Sequence, residues 1–150
     1  MSAPDDPYVA PGLIATLTPV PEAECWELLA GRRLGRVGVV VDDRPEVLPV
    51  NYVLDGETVL FRTAEGTMLD EAAGSFVAFE VDRIDEETHE GWSILVQGRA
   101  EDISHTLGAN SERMRALPLI TWAPGARHRW LHIKPDRITG RRLRVMPDSL

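Results

Sequence analysis

The stretch RVGVVVDDRPEVLPVNYVLDGETVLFRT, Arg36 to Thr63, decides the fold. Three runs rich in valine, leucine and aromatic residues, 36–42, 46–54 and 58–63, read as β-strands, because branched and aromatic side chains suit a half-buried pleated surface. They are separated by Asp42-Asp43-Arg44-Pro45 and by Asp55-Gly56. Both separators are turn chemistry, and an Asp-Gly pair between apolar runs is a strong hairpin mark. Two consecutive hairpins predict a three-stranded antiparallel meander.

The pattern continues outward from this core. SFVAFEVD, 75–82, alternates Phe76, Ala78, Glu80 and Asp82 against Val77, Phe79 and Val81, and WSILVQGRAEDI, 92–103, predicts a long partner strand with a bend or bulge at Gly98. HRWLHIKP, 128–135, and DRITGRRLRV, 136–145, predict two last strands. Helices are expected from Thr18 to Ala30, with Glu22 and Glu24 in the first turn, as a short turn over Thr67–Ala73, and over 104–117 with Leu107, Met114 and Leu117 inward. Strands arrive in hairpins without regular crossover helices. The expected class is therefore mainly β with flanking helices (α+β), a six- to seven-stranded antiparallel split β-barrel and not a βαβ sheet. Residues 1–17, with four prolines or glycines and no period, read as a flexible N-terminal arm, and 18–150 as a single domain.

With 150 residues, 43% hydrophobic and 27% charged, the chain suits one globular domain. Its net charge of −8 opposes the phosphate backbone of nucleic acid, leaving GRRLR, 140–144, as the one basic run. No apolar run approaches the ~20 residues that span a bilayer, and no leader pattern opens the chain. The lone Cys25 makes neither an internal disulfide nor a cysteine-based metal site, so a cytoplasmic address is expected. His128 and His132 have a helical metal-pair spacing but lie in a strand-like stretch, where they stand ~13 Å apart. No metal site is expected. GRRLGRVG at 31–38 precedes a strand, the reverse of a dinucleotide fingerprint, and GWSIL at 91–95 lacks the second glycine of a nucleophile elbow.

One constellation survives. FRTAEGTMLD, Phe61 to Asp70, ends a strand on Arg62 and Thr63 and turns through Gly66 to Thr67, a set of donors that matches a phosphate monoester. The alternative is a surface arginine paired with Glu65 or Asp70. Both readings stand on the residues alone.

The ordered set V-G-R-V-G-V-V-V-D-like first strand, P-V-N-Y, L-F-R-T followed by G-T, F-E-V-D, G-W-S-I-L-V-Q-G-R-A and I-T-G-R-R resembles the pyridoxamine 5'-phosphate oxidase-like family of flavin-binding split barrels. It is most similar to the short actinobacterial-type members related to nitroimidazole-resistance proteins, and the resemblance spans about residues 20–145. It implies a homodimer with FMN at the subunit interface and an oxidoreductase acting on a small molecule, a nitro or quinone-like compound among the options. Carried over by position, it implies that Pro49, Val50 and Asn51 line the isoalloxazine ring, and that Arg62, Thr63 and Thr67 face the phosphate. Trp92 and Ser93 would approach the cofactor from a long strand, in the same or the other subunit. Met68 stands where relatives commonly have a lysine; losing such a charge-assisted contact costs about 1.5–3 kcal/mol. That departure keeps the deazaflavin F420, haem, a non-catalytic binding protein and a scaffold with a decayed pocket in view. No catalytic residue is assigned, because flavin chemistry resides in the cofactor.

Overall fold

A computed structural model of the chain describes residues 9–148. Its elements in order are β1 (Leu13–Pro19), α1 (Glu22–Ala30), β2 (Leu34–Val41), β3 (Arg44–Asp55), β4 (Thr58–Thr63), α2 (Met68–Glu71), β5 (Phe76–Ile84), β6 (Gly91–Asp102), α3 (Ala109–Arg115) and β7 (Arg129–Pro147). All pairings are antiparallel. The strand order is β1-β7-β4-β3-β2-β5-β6, and a further β6–β7 ladder closes the sheet on itself into a barrel. This is the split barrel that the sequence predicts.

The meander forms as read. Val41 pairs with Arg44 across a two-residue turn in which Asp42 and Asp43 both adopt positive φ, 51° and 59°. That is the geometry whose twist matches the flanking strands, and aspartate tolerates it better than a branched residue. Strands β5 and β6 pair from Phe76–Arg99 to Ile84–Gly91, and the β6–β7 register shifts between Gln97 and Gly98. A Cβ at Gly98 would lie 2.4 Å from the Lys134 carbonyl oxygen, so the bulge requires glycine there.

Inward side chains of β2 to β7 fill the barrel. Val37, Val59, Phe79, Ile94, Val96, Leu131 and Ile133 are fully buried. Tyr52 packs edge-on to Phe79 at 4.9 Å and donates its hydroxyl to the Leu29 carbonyl at 2.5 Å, tying α1 to the barrel through Cys25, Trp26 and Leu29. Burial pushes the Tyr52 phenol well above its ordinary pKa, so it remains a donor.

Several expectations need correction. The two strands expected over 128–145 are one 19-residue strand, Arg129–Pro147. Pro135 and Asp136 look like a turn in sequence, but Pro135 sits opposite the Gly98 bulge, where a missing N–H is tolerated. Residues 13–17, read as part of a loose arm, are strand: Leu13–Pro19 pairs with Arg141–Pro147. The rest of that reading falls partly on residues 1–8, outside the described residues. Thr18 and Pro19 end β1 and do not start a helix, and α1 begins after Pro21 without a side-chain cap. The helix expected over 104–117 shrinks to Ala109–Arg115 and buries none of its own residues, with Leu107 90% exposed. An aspartate turn, in which Ser104 N donates to Asp102 Oδ1, and Gly108 at φ 121° delay its start.

Candidate cofactor site

The split lies between β3 and β4. Strand β4 pairs with β3 only over Tyr52–Asp55 on one edge, while its other edge pairs with β7 from Val59 through Thr63, past the end of the β3 pairing. The β3 edge from Arg44 to Asn51 that faces away from β2 therefore has no strand on it among the described residues. Pro49, Val50 and Asn51 lie on this open edge, and Arg62 and Thr63 stand where β4 diverges, so the structure brings five expected site residues to one mouth, with Thr67 in the turn just beyond. Pro49 and Asn51 point outward, whereas Val50 is buried and its backbone groups face Gly35 of β2.

The donors at this mouth are turned onto the chain itself. Arg62 Nε donates to the Arg127 carbonyl at 3.0 Å and Nη1 to the Leu119 carbonyl at 3.1 Å, while the guanidinium lies 5.3 Å from the centre of the Trp130 ring. One side chain thus staples both ends of the segment 119–127. Asn51 holds its middle: Oδ1 accepts from Trp122 N at 2.8 Å, and Nδ2 donates to the Arg33 carbonyl at 3.3 Å. The strap so fixed presents Ile120 and Trp122 to solvent, 72% and 65% exposed.

The turn after β4 is similarly self-contained. Buried Thr63 shares a 2.6 Å hydroxyl contact with Thr67, which also donates to the Ala64 carbonyl and caps α2 by accepting from Asp70 N. Gly66 N donates to Asp70 Oδ2 at 2.8 Å. A carboxylate already occupies the donor that a phosphate would use. The arginine paired with Glu65 and Asp70 is not Arg62 but Arg129, directly across the ladder from Thr63, at 3.0 and 3.6 Å, with Asp102 at 3.3 Å. Sequence reasoning missed Arg129 because 66 positions separate it from Thr63. The open β3 edge suits a planar ring with polar rim atoms; the 63–67 turn does not suit a phosphate as it stands, since its hydroxyls and the Gly66 N–H are engaged.

Trp92 and Ser93 do not join this cluster. Trp92 pairs with Arg142 and Arg62 with Trp130, so the two lie at opposite halves of β7, up to ~40 Å of extended chain apart at about 3.3 Å per residue. Trp92 packs against the core and Ser93 faces the other way, as successive strand residues must.

The outer face of β2, β3, β5 and β6 is uncovered. Val40, Val47 and Phe76 are 64%, 67% and 63% exposed and share that face with Pro49, around a polar centre where Arg36 lies 3.9 Å from Glu80 and 3.7 Å from Asp82. Desolvation first, and then Asp82, push the Glu80 carboxyl up to about 7.

The model of the family described as pyridoxamine 5'-phosphate oxidase matches residues 21–142. The chain belongs to this family. An uncharacterised protein of Mycobacterium tuberculosis is 40% identical over 98 residues, 64% of this chain and 84% of its own. Among solved structures, the FAD binding protein from Mycobacterium smegmatis is 37% identical with a TM-score of 0.69, covering 84% of this chain and 97% of that one. A conserved protein of unknown function from Corynebacterium diphtheriae is 30% identical with a TM-score of 0.68, at 84% and 97% coverage. No helix among the described residues is long and apolar enough to cross a membrane.

Proposed function

We propose that this pyridoxamine 5'-phosphate oxidase family member binds a flavin at the open edge of β3, acts as a homodimer, and serves as an oxidoreductase for a small nitro or quinone-like compound. The observation that carries this reading is the unpaired β3 edge at Pro49–Asn51, where the Pro49 carbonyl and the Asn51 backbone groups face away from β2 beside an exposed apolar surface, which fits the polar rim and flat faces of an isoalloxazine. The 37% identity to an FAD binding protein supports a flavin over F420 or haem. When bound, the flavin supplies the hydride chemistry. The chain's own part is to hold and shield: Pro49 offers a flat apolar contact, Asn51 and Arg62 keep the 119–127 strap over the mouth, and the strap excludes water from one side. FMN is the expected flavin. The apolar outer face beside the edge gives a second copy its contact, and a second copy is also what could bring Trp92 near the ring.

The test is reconstitution of purified protein with FMN. We expect one flavin taken up per chain and NAD(P)H oxidation coupled to a nitro or quinone acceptor. A folded protein that takes up neither FMN nor FAD overturns the reading, and uptake without turnover leaves a binding protein.

A further inference from the structure

A second concave surface lies far from the split. Where β5, β6 and β7 run side by side, an open groove of about 650 Å³ has Arg83, Asp85, Glu90, Trp92, Arg142 and Arg144 in its lining. Its floor follows from register. Arg83, Trp92 and Arg142 stand abreast across three adjacent strands, so the indole is flanked on both sides by an arginine on the same face. Trp92 packs against the core and is a fixed platform. Arg144 lies two residues further along β7 on the same face, past the Ile84–Gly91–Leu143 row.

The charges are unequal in availability. Arg142 pairs with Glu24 of α1 at 2.6 Å. Asp85 Oδ1 accepts from Glu87 N and Thr88 N at 2.9 and 3.0 Å, bonds that hold its carboxyl below the ordinary range, and Glu90 Oε1 accepts from Val145 N at 3.1 Å. Arg83 and Arg144 make no ion pair or side-chain hydrogen bond among the described residues. In a protein of net charge −8, two guanidiniums without an ion pair among the described residues, beside a fixed indole, give this groove donors for an anion, with the Asp85 carboxylate turned onto its own backbone. An aromatic platform takes a planar ring; guanidinium forks match phosphate oxygens.

We infer that this groove is a binding site for a nucleoside 5'-phosphate group, with the base stacked on Trp92 and the phosphate held by Arg83 and Arg144. It does not depend on a flavin in the split. The group can come from a free nucleotide or from the adenylate half of a dinucleotide such as FAD, and the two sources are separable by experiment.

Calorimetric titration of the full chain with AMP is the first arm. Wild type should bind, Arg83→Ala and Arg144→Ala should each weaken binding at least about tenfold, the loss expected for one charge-assisted contact, and Trp92→Leu should weaken it further. Arg141→Ala, on the opposite face opposite Ser93, should not. Arg83 and Arg144 are exposed, so their variants should keep the wild-type melting temperature, which excludes misfolding as the cause. The second arm compares FAD with FMN. If the Arg83→Ala/Arg144→Ala double variant loses FAD affinity and retains FMN affinity, the group is the adenylate half of the dinucleotide; if neither changes while AMP is lost, it is a free nucleotide. No AMP binding by wild type, or equal binding by wild type and the double variant, overturns the inference. Uptake of FMN by the double variant tests the flavin reading separately.

Discussion

The two ends of β7 hold arginine and aromatic pairs of opposite character. At the split, Arg62 lies over Trp130 with two of its nitrogens on the carbonyls of Leu119 and Arg127. At the other end, Arg83 flanks Trp92 and Arg144 lies two residues along β7 from its other neighbour, Arg142, and neither Arg83 nor Arg144 has an ion pair among the described residues. The composition of the two sites is nearly the same. What separates them is whether a chain segment returns to cover the cations: the strap 119–127 does so at the split, and nothing comparable among the described residues lies over the groove. An arginine beside an aromatic is thus a staple where a loop crosses it and a receptor where none does.

The largest effect that would break this contrast is on stability. Arg62→Ala removes two charge-assisted bonds and a ring contact from a half-buried staple and should destabilise by about 2–3 kcal/mol, lowering the melting temperature by roughly 5–10 °C. Thermal denaturation of Arg62→Ala beside Arg144→Ala is the check, and equal melting temperatures would erase the distinction. Next, Thr67→Val leaves the buried Thr63 hydroxyl without its partner and α2 without its cap. About 1–2 kcal/mol should be lost, read by denaturant unfolding.

Smaller effects sharpen the comparison. Met68→Lys adds a cation beside a turn whose donors are already occupied, so FMN affinity should stay within about twofold, well under the tenfold step of a charge-assisted contact. A tenfold gain in a fluorescence titration would place the flavin's phosphate at that turn. Smallest is the pH response of Glu80. Its folded carboxyl keeps its proton up to about 7 against an ordinary 4.5, so the folded state binds more protons than the unfolded one between those values and stability falls as pH rises through the window. Glu80→Gln should flatten that fall and raise the melting temperature slightly above pH 7. A steeper slope in the variant would show that the charged carboxylate stabilises through Arg36.

Much of the barrel was legible because its signals are local. Asp42-Asp43 and Asp55-Gly56 encode their own turns, and Gly98 marks its bulge, since each depends on a few neighbouring dihedrals. The 19-residue β7 was not legible. It serves three different partners, and Pro135 breaks the pattern unless the bulge opposite is known. The helix over 109–115 was overextended because its apolar residues fit a period but have no facing core. At the site, the cluster of Pro49–Asn51 with Arg62 and Thr63 was readable from strand ends and a resemblance. The destinations of the Arg62 donors were not: they are carbonyls 57 and 65 positions away in a segment without a motif. Arg129 was hidden for the same reason, and the groove at Trp92 emerges only when Arg83, Trp92 and Arg142 are brought abreast by two ladders.

The proposed function has a flavin held between two copies at the open β3 edge. Sedimentation velocity of the FMN-loaded protein, followed at the flavin absorbance, tests this most directly. The flavin signal should move with a species of two chains at one flavin per chain; flavin moving with single chains at full occupancy, or a folded dimer without flavin, would contradict it.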